Sequence, residues 1–384
     1  MPHHSTHHHY HITRLSELKR LYWAHTIRAL ASEMTVIFIP IYLYGLHYSI
    51  TEIMGYFLWF SVLWGVLQYP VMRFSNFIGF NRAMGISMII QGIHILMLAT
   101  ISIYHWPLWL IAFVWALLVA MYWPNFRSCF AKSLLHKKIG PSVGISVALL
   151  LLAYGLAPVA GGIIATQFGI VALYVLAMIF FLAAAIPLFG GKETIKREPF
   201  ELRTIKLRRV WKDLVANMGS EVDDSVGAIL WPLFIFLLIP SYVGVGVLSS
   251  VSVIACMLIA FYVGHRELSK GARGYLNKGT LTVSLMNVFR LFTQSAGQIA
   301  GVNFVNGLGR ALLTTSYDSR YYQNAEREPL LPYIYLMMMI CAIGDALLFG
   351  ILLLVSLIAP IEVVLAVGLI LAVPAGYIIR LIRS

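Results

Sequence analysis

Arg28, Glu33, Glu221, Asp224, Arg310 and Asp345 stand inside stretches of the chain that are otherwise apolar. An ionisable group in a membrane span costs at least about 2.5–3.5 kcal/mol on insertion scales, so each is functional or half of a neutralising pair. Their spacing sharpens the choice. His25, Arg28, Ser32 and Thr35 fall on one helical face, with Glu33 beside it. Glu221 and Asp224 are one turn apart with Asp223 between them, and Asn303, Asn306, Arg310, Thr314 and Tyr317 share another face. Carboxylates so placed could carry a proton or hold a cation, and the arginines could hold an anion. Having both signs leaves the charge of a bound solute open. The plainer alternative is static: Arg28 pairs with Glu33 or an acid of the seventh stretch, and Arg310 pairs with Asp345.

The elements that position these residues are twelve apolar stretches, at about 21–46, 52–72, 83–104, 106–122, 140–165, 170–189, 214–239, 243–265, 279–292, 298–317, 331–358 and 361–382. A helix needs about twenty residues to cross a bilayer. The ninth stretch is short and carries Arg290. Lysines and arginines cluster in alternate gaps: Arg73 and Arg82, then Arg127 to Lys138, Lys192 to Lys212, Arg266 to Lys278, and Arg320 with Arg327. Both ends of the chain are basic too. Basic loops face the cytoplasm, so the pattern predicts a multi-pass protein of the plasma membrane with both termini cytoplasmic. Residues 13–22 read as a short interfacial helix ahead of the first span.

Sixty per cent of the residues are hydrophobic and 11% charged, against about a quarter charged in soluble proteins. The net charge of +12 sits in juxtamembrane loops, where it meets lipid headgroups; nucleic acid is not an expected partner. Cys129, Cys256 and Cys341 are widely separated and read as buried small hydrophobes. His3, His4, His7, His8, His9 and His11 could bind a divalent metal. A low-complexity tail or tag remnant explains them more simply, and no metal or other cofactor is assigned.

The chain divides into a histidine-rich tail with its interfacial helix (1–20), a six-span half (21–190), a basic linker (191–213) and a second six-span half (214–384). A repeat supports the division: Ile39-Pro40-Ile41 in the first span and Trp231-Pro232-Leu233 in the seventh lie about 192 residues apart. Parallel halves of this kind arise by duplication in transporters.

Together these features resemble the major facilitator superfamily of secondary transporters. The closest likeness in residues is the fifth span, where Gly155, Pro158, Gly161 and Gly162 match the family's glycine–proline motif, with Ala157 in place of a glycine. The loop after the second span is similar to the family's other signature at Gly79 and Arg82, but Asn76 occupies its acidic position and Met72 its first glycine. The fourth span also lacks the arginine common in drug–proton antiporters and offers Trp115 and Tyr122 instead. This is a diverged member, so drug-exporter substrates are not carried over. The resemblance implies an all-α fold of twelve spans in two pseudo-symmetric halves, with spans one, four, seven and ten lining a central path. It implies a monomer that moves a small solute by alternating access, with proton-coupled export as one form.

Two other readings have sequence support. Tyr317-Asp318 and Gly344-Asp345 on consecutive stretches resemble intramembrane aspartyl proteases, although Ala342 replaces that family's first glycine. A non-transporting scaffold or sensor using the histidine tail is the third. No Walker-type phosphate loop is present.

Overall fold

In the computed structural model, residues 4–134, 141–190, 200–264 and 272–383 are described, with side chains over 19–133, 149–150, 152–190, 200–201, 203–259 and 273–383. The side chains of the histidine tail therefore lie outside the described residues, as do 191–199 of the linker. All regular structure among the described residues is helical. The spans, in order, are His4–Thr35 continued by Ile39–Gly45, then Ile50–Ile78, Phe80–Ala99, Leu108–Leu134, Pro141–Phe168 and Ile170–Phe189. Next come Leu207–Ser225 continued by Trp231–Leu238, Tyr242–Gly264, Ala272–Arg290, Ala296–Glu326, Leu330–Ser356 and Ile361–Ile378. Among the described residues eight of these are long and apolar enough to cross a membrane. Of the other four, the fifth counts only as the shorter apolar helix Leu152–Phe168, and the seventh, ninth and tenth carry polar side chains of the interior.

Several helices outrun their expected ends. No separate interfacial helix covers 13–22; the first helix runs unbroken from His4. The fourth continues past Tyr122 to Leu134, and the seventh begins at Leu207. Polar residues read from the sequence as loop thus become the helical walls at the basic end of the bundle.

The contacts repeat. In the first six spans, one packs on five and six, two on four, three on four and six. In the last six, seven packs on eleven and twelve, eight on ten, nine on ten and twelve. Each pair maps onto its counterpart by adding six. The halves meet along spans two and eleven and along spans five and eight, which the same operation exchanges. Pseudo-twofold symmetry therefore follows from the packing itself. Away from the basic end, the outer parts of spans one and seven also touch.

Both proline positions of the repeat interrupt their helices, and in opposite senses. A prolyl nitrogen has no hydrogen to donate. Before Pro40 the chain tightens into a 3₁₀ turn, Val36–Phe38. Before Pro232 it widens into a π turn, Val226–Leu230, where Trp231 N–H donates to Val226 O. The outer part of each span is re-aimed at the same depth.

A charge cluster closes the basic end of the second half. Asp213, read from the sequence as linker, lies buried inside the seventh helix. Its carboxylate accepts from Arg383 Nε at 2.7 Å, Arg383 N–H at 2.9 Å and Tyr333 O–H at 3.0 Å. Glu328 joins Arg383 and Arg209, each at 3.0 Å. Burial disfavours the charged Arg383, but the hydrogen bonds it donates to Asp213 and Glu328 more than offset it, and its pKa rises. We expect Asp213→Ala to destabilise the protein by about 3–5 kcal/mol, the range for removing one partner of a buried pair. Thermal melting in detergent measures this. A loss no larger than that of Arg209→Ala, whose own side chain is more than half exposed, would show the cluster to be ornamental.

Candidate functional site

Arg310, on the tenth span, meets the acids of the seventh. Its Nη2 donates to Asp223 Oδ2 at 2.6 Å, and its Nη1 to Asp224 Oδ1. The two aspartates differ sharply: the Asp223 side chain is 2% exposed, that of Asp224 52%, and Arg310 23%. Asp224 and Arg310 therefore face accessible space at the depth of the span, and Asp223 anchors them from behind. Behind Asp223 runs a chain of polar contacts. Its Oδ1 accepts from Asn287 at 2.8 Å, and Asn287 Oδ1 accepts from Arg290 at 2.8 Å. The Arg290 guanidinium lies 4.7 Å from the Trp231 ring, and Trp231 donates to Asn303 Oδ1 at 2.9 Å. Asn303 Nδ2 in turn donates to Leu248 O at 2.8 Å.

Arg310 does not pair with Asp345, as its static reading required. Asp345 is buried and accepts from Ser225 Oγ at 2.7 Å. Glu221 and Asp224 are its acidic neighbours. Asn306 is buried in the same wall, donating to Ser252 at 3.4 Å while its Oδ1 has no partner among the described residues. Sequence spacing missed Asn287 and Arg290, because an arginine in a short ninth stretch read as a span end. It also ranked Asp224 above Asp223, the better buried of the two.

In the first half, Arg28 pairs neither with Glu33 nor with an acid of the seventh span. It is 5% exposed and lies against ring faces, 4.3 Å from Tyr122 and 4.7 Å from Trp123. Such cation–π contacts reach about 2 kcal/mol when desolvated. His25 Nδ1 hydrogen-bonds Tyr122 O–H at 2.7 Å and stacks on Phe126 at 4.0 Å. Glu33 is half-buried and makes no ion pair among the described residues. The symmetry of the halves extends to this detail. Asn217, 192 residues after His25, accepts from Tyr317 O–H at 2.5 Å, so spans seven and ten are tied as spans one and four are.

A cavity of about 600 Å³ opens between the halves at the basic end. His25, Trp123, Phe126 and Arg127 line one side; Asp318, Tyr322 and Glu326 of the tenth span line the other. Arg127, assigned from the sequence to a loop, sits inside the helix and lies 5.0 Å from the Tyr321 ring across the interface. The fourth span does carry an arginine, one turn beyond its expected end. Asp318 belongs to this cavity and Asp345 to the Ser225 contact, so the residues of the protease reading have different neighbours.

The motif glycines are points of helix contact. A Cβ on Gly162 would lie 2.5 Å from Tyr242 O of the eighth span, and one on Gly161 would strike Met34 O of the first. Gly246 meets the Pro158 carbonyl reciprocally, while a Cβ on Gly155 would meet side chains alone, the Met257 sulfur nearest at 3.1 Å. In the loop signature, Gly79 adopts φ of +105°, a conformation that disfavours any side chain. It lets the chain turn directly from Ile78 into Phe80; Asn76 and Arg82 flank that turn.

The fold and these sites together define an all-α, multi-pass membrane protein of two pseudo-symmetric six-helix halves. Two solved POT family transporters, one in complex with a thioalcohol-conjugated peptide and one with 5-aminolevulinic acid, superpose at TM-score 0.67 with 12% and 11% identity. Each match covers 94% of this chain and 95% of the other. The nucleoside transporter NupG superposes at TM-score 0.65 with 11% identity, over 94% of this chain and 97% of that one. At such identities the likeness is one of fold. No protein-family model and no curated protein sequence matches the chain.

Proposed function

We propose that this chain is a secondary transporter that moves a small solute across the plasma membrane by alternating access. One observation carries the reading: two symmetric six-helix halves enclose an accessible cavity at one end, while spans one and seven touch at the other. That is the arrangement of a carrier open to one side. The peptide, 5-aminolevulinic acid and nucleosides named for the structural neighbours support a small organic solute. By the distribution of lysine and arginine, the open end and both termini face the cytoplasm. The halves span 21–190 and 214–384, joined by the linker, and work as a monomer.

Proton coupling would fall to Asp224, which pairs with Arg310, and to Glu221, the neighbour of Asp345 and Asp224. The glycine–proline motif of the fifth span favours export. If Glu221→Gln and Asp224→Asn each leave the pH dependence of transport unchanged, the coupling assignment is wrong.

Alternating access itself is testable without a substrate. In a chain with its three cysteines replaced, spin labels at Phe168 and Ile358, both highly exposed at the far end, report one opening. Labels at Phe77 and Leu207 report the other. We expect two populations at each pair, one pair widening as the other narrows when pH changes. A single narrow distance at both pairs would favour a static scaffold.

A further inference from the structure

Arg28 differs from the other embedded arginines in what surrounds its charge. Arg310 has two carboxylates, Arg290 has the Asn287 carbonyl oxygen, and Arg127 shares its cavity with Asp318. Arg28 has two ring faces, and no carboxylate among the described residues comes within ion-pair distance of it. Its Nε is buried without a hydrogen-bond partner. Glu33, five residues along the same helix, stays beyond that distance. An unpaired buried cation is among the costliest things a protein can hold, and cation–π contacts recover only part of that cost. A guanidinium so placed has hydrogen-bonding capacity and charge to offer an anion.

The surroundings say what kind of anion. Arg28 lies one turn deeper than His25, and Trp123 has its ring on Arg28 while lining the cavity. His25, Trp123 and Phe126 line the cavity with rings, His25 stacked on Phe126 at 4.0 Å and Trp123 edge-on to both, with Phe130 and Tyr22 nearer the mouth. A planar body would lie in that cavity against the rings, with its acidic group directed inward at the guanidinium. We propose that Arg28 and this aromatic wall bind a planar aromatic organic anion, the class of solute that the protein carries. The proposal rests on the transporter reading for its role but not for its binding.

Three probes with one indole body separate the terms: indole-3-propionate, its uncharged amide, and cationic tryptamine. Calorimetric titration of the purified full-length protein in detergent should show the anion binding at least about tenfold more tightly than the amide, with tryptamine weakest. Arg28→Gln should bring the anion down to the level of the amide. Arg28→Lys keeps the charge but loses the planar fork, and should fall between. It also serves if the glutamine variant does not fold. Equal affinity for anion and amide, undiminished binding to either variant, or no binding of the anion overturns the proposal. Two-state label distances in a protein that ignores the anion would leave transport standing and remove only the substrate class. Tight anion binding to a protein with one fixed distance would do the reverse.

Discussion

Gly246→Leu should be among the most damaging single substitutions in this protein. Gly246 on the eighth span faces the Pro158 carbonyl of the fifth, and Gly162 on the fifth faces Tyr242 O of the eighth. The obstruction on both sides is backbone, which cannot rotate away. Small residues let helices approach this closely in lipid, where packing rather than the hydrophobic effect holds them together. Overpacking ordinarily costs about 1–3 kcal/mol, and here the helices themselves must part. This contact also joins the two halves, so a wedge in it should disturb the balance of conformations before it unfolds the protein. Gly301→Ala is the control: it sits in the tenth helix with nothing within 4 Å of a new Cβ. It should be neutral or slightly stabilising, since alanine outranks glycine in helices by about 1 kcal/mol. Melting curves and the far-end label distances should separate the two variants. If Gly246→Leu melts with Gly301→Ala, the close approach of spans five and eight is not what holds the halves.

Asp223→Ala should be the second large effect. It removes the buried acceptor of both Arg310 and Asn287, and so strands a cation and an amide in the interior. Losing one member of a buried pair costs about 3–5 kcal/mol, yet replacing both members by apolar groups is often neutral. Asp223→Ala combined with Arg310→Met should therefore be more stable than Asp223→Ala alone. Asp224→Asn, at a half-exposed carboxylate, should change stability by less than about 1 kcal/mol while impairing transport. Thiol-reactive dyes can follow unfolding, because Cys129 and Cys341 are buried. A double variant as unstable as the single one would mean that the arginine was not neutralised by Asp223.

The fold was legible because a bilayer simplifies the problem. Backbone groups must bond internally, so spans show as apolar runs and their order as alternating basic gaps. The proline repeat even marked the depth at which spans one and seven break. Partners were not legible. Arg310 was as near to Asp345 as to Asp223 by any count of turns, and Ser225 took the former acid while the tenth helix presented the arginine to the latter. Rotation and relative depth decide such choices, and hydropathy encodes neither. Arg28 is a second case: its spacing points to carboxylate partners, whereas in the structure it lies against the Tyr122 and Trp123 rings. Arg127 and Asp213 show a third. Charge at a span end reads as loop in a sequence, whereas these helices continue past the apolar stretch, Arg127 to line the cavity and Asp213 to hold Arg383.

The breaks before Pro40 and Pro232 have a consequence for the symmetry. From His25 to Pro40 and from Asn217 to Pro232 the chain is equally long. One path contains a turn of about three residues, the other a wider turn closed by an i to i+5 bond. Helices with equal residue counts but unequal winding leave the break at different angular phases. Side chains at matching positions beyond it therefore point in different directions, without a single inserted or deleted residue. The ancestral duplicate would thus have become handed at one end only, its inner ends still superposable and its outer closure not. A substitution at the far closure has no mirror-image counterpart, and swapping equivalent residues between the halves should be tolerated at His25 and Asn217 sooner than at Ile41 and Leu233.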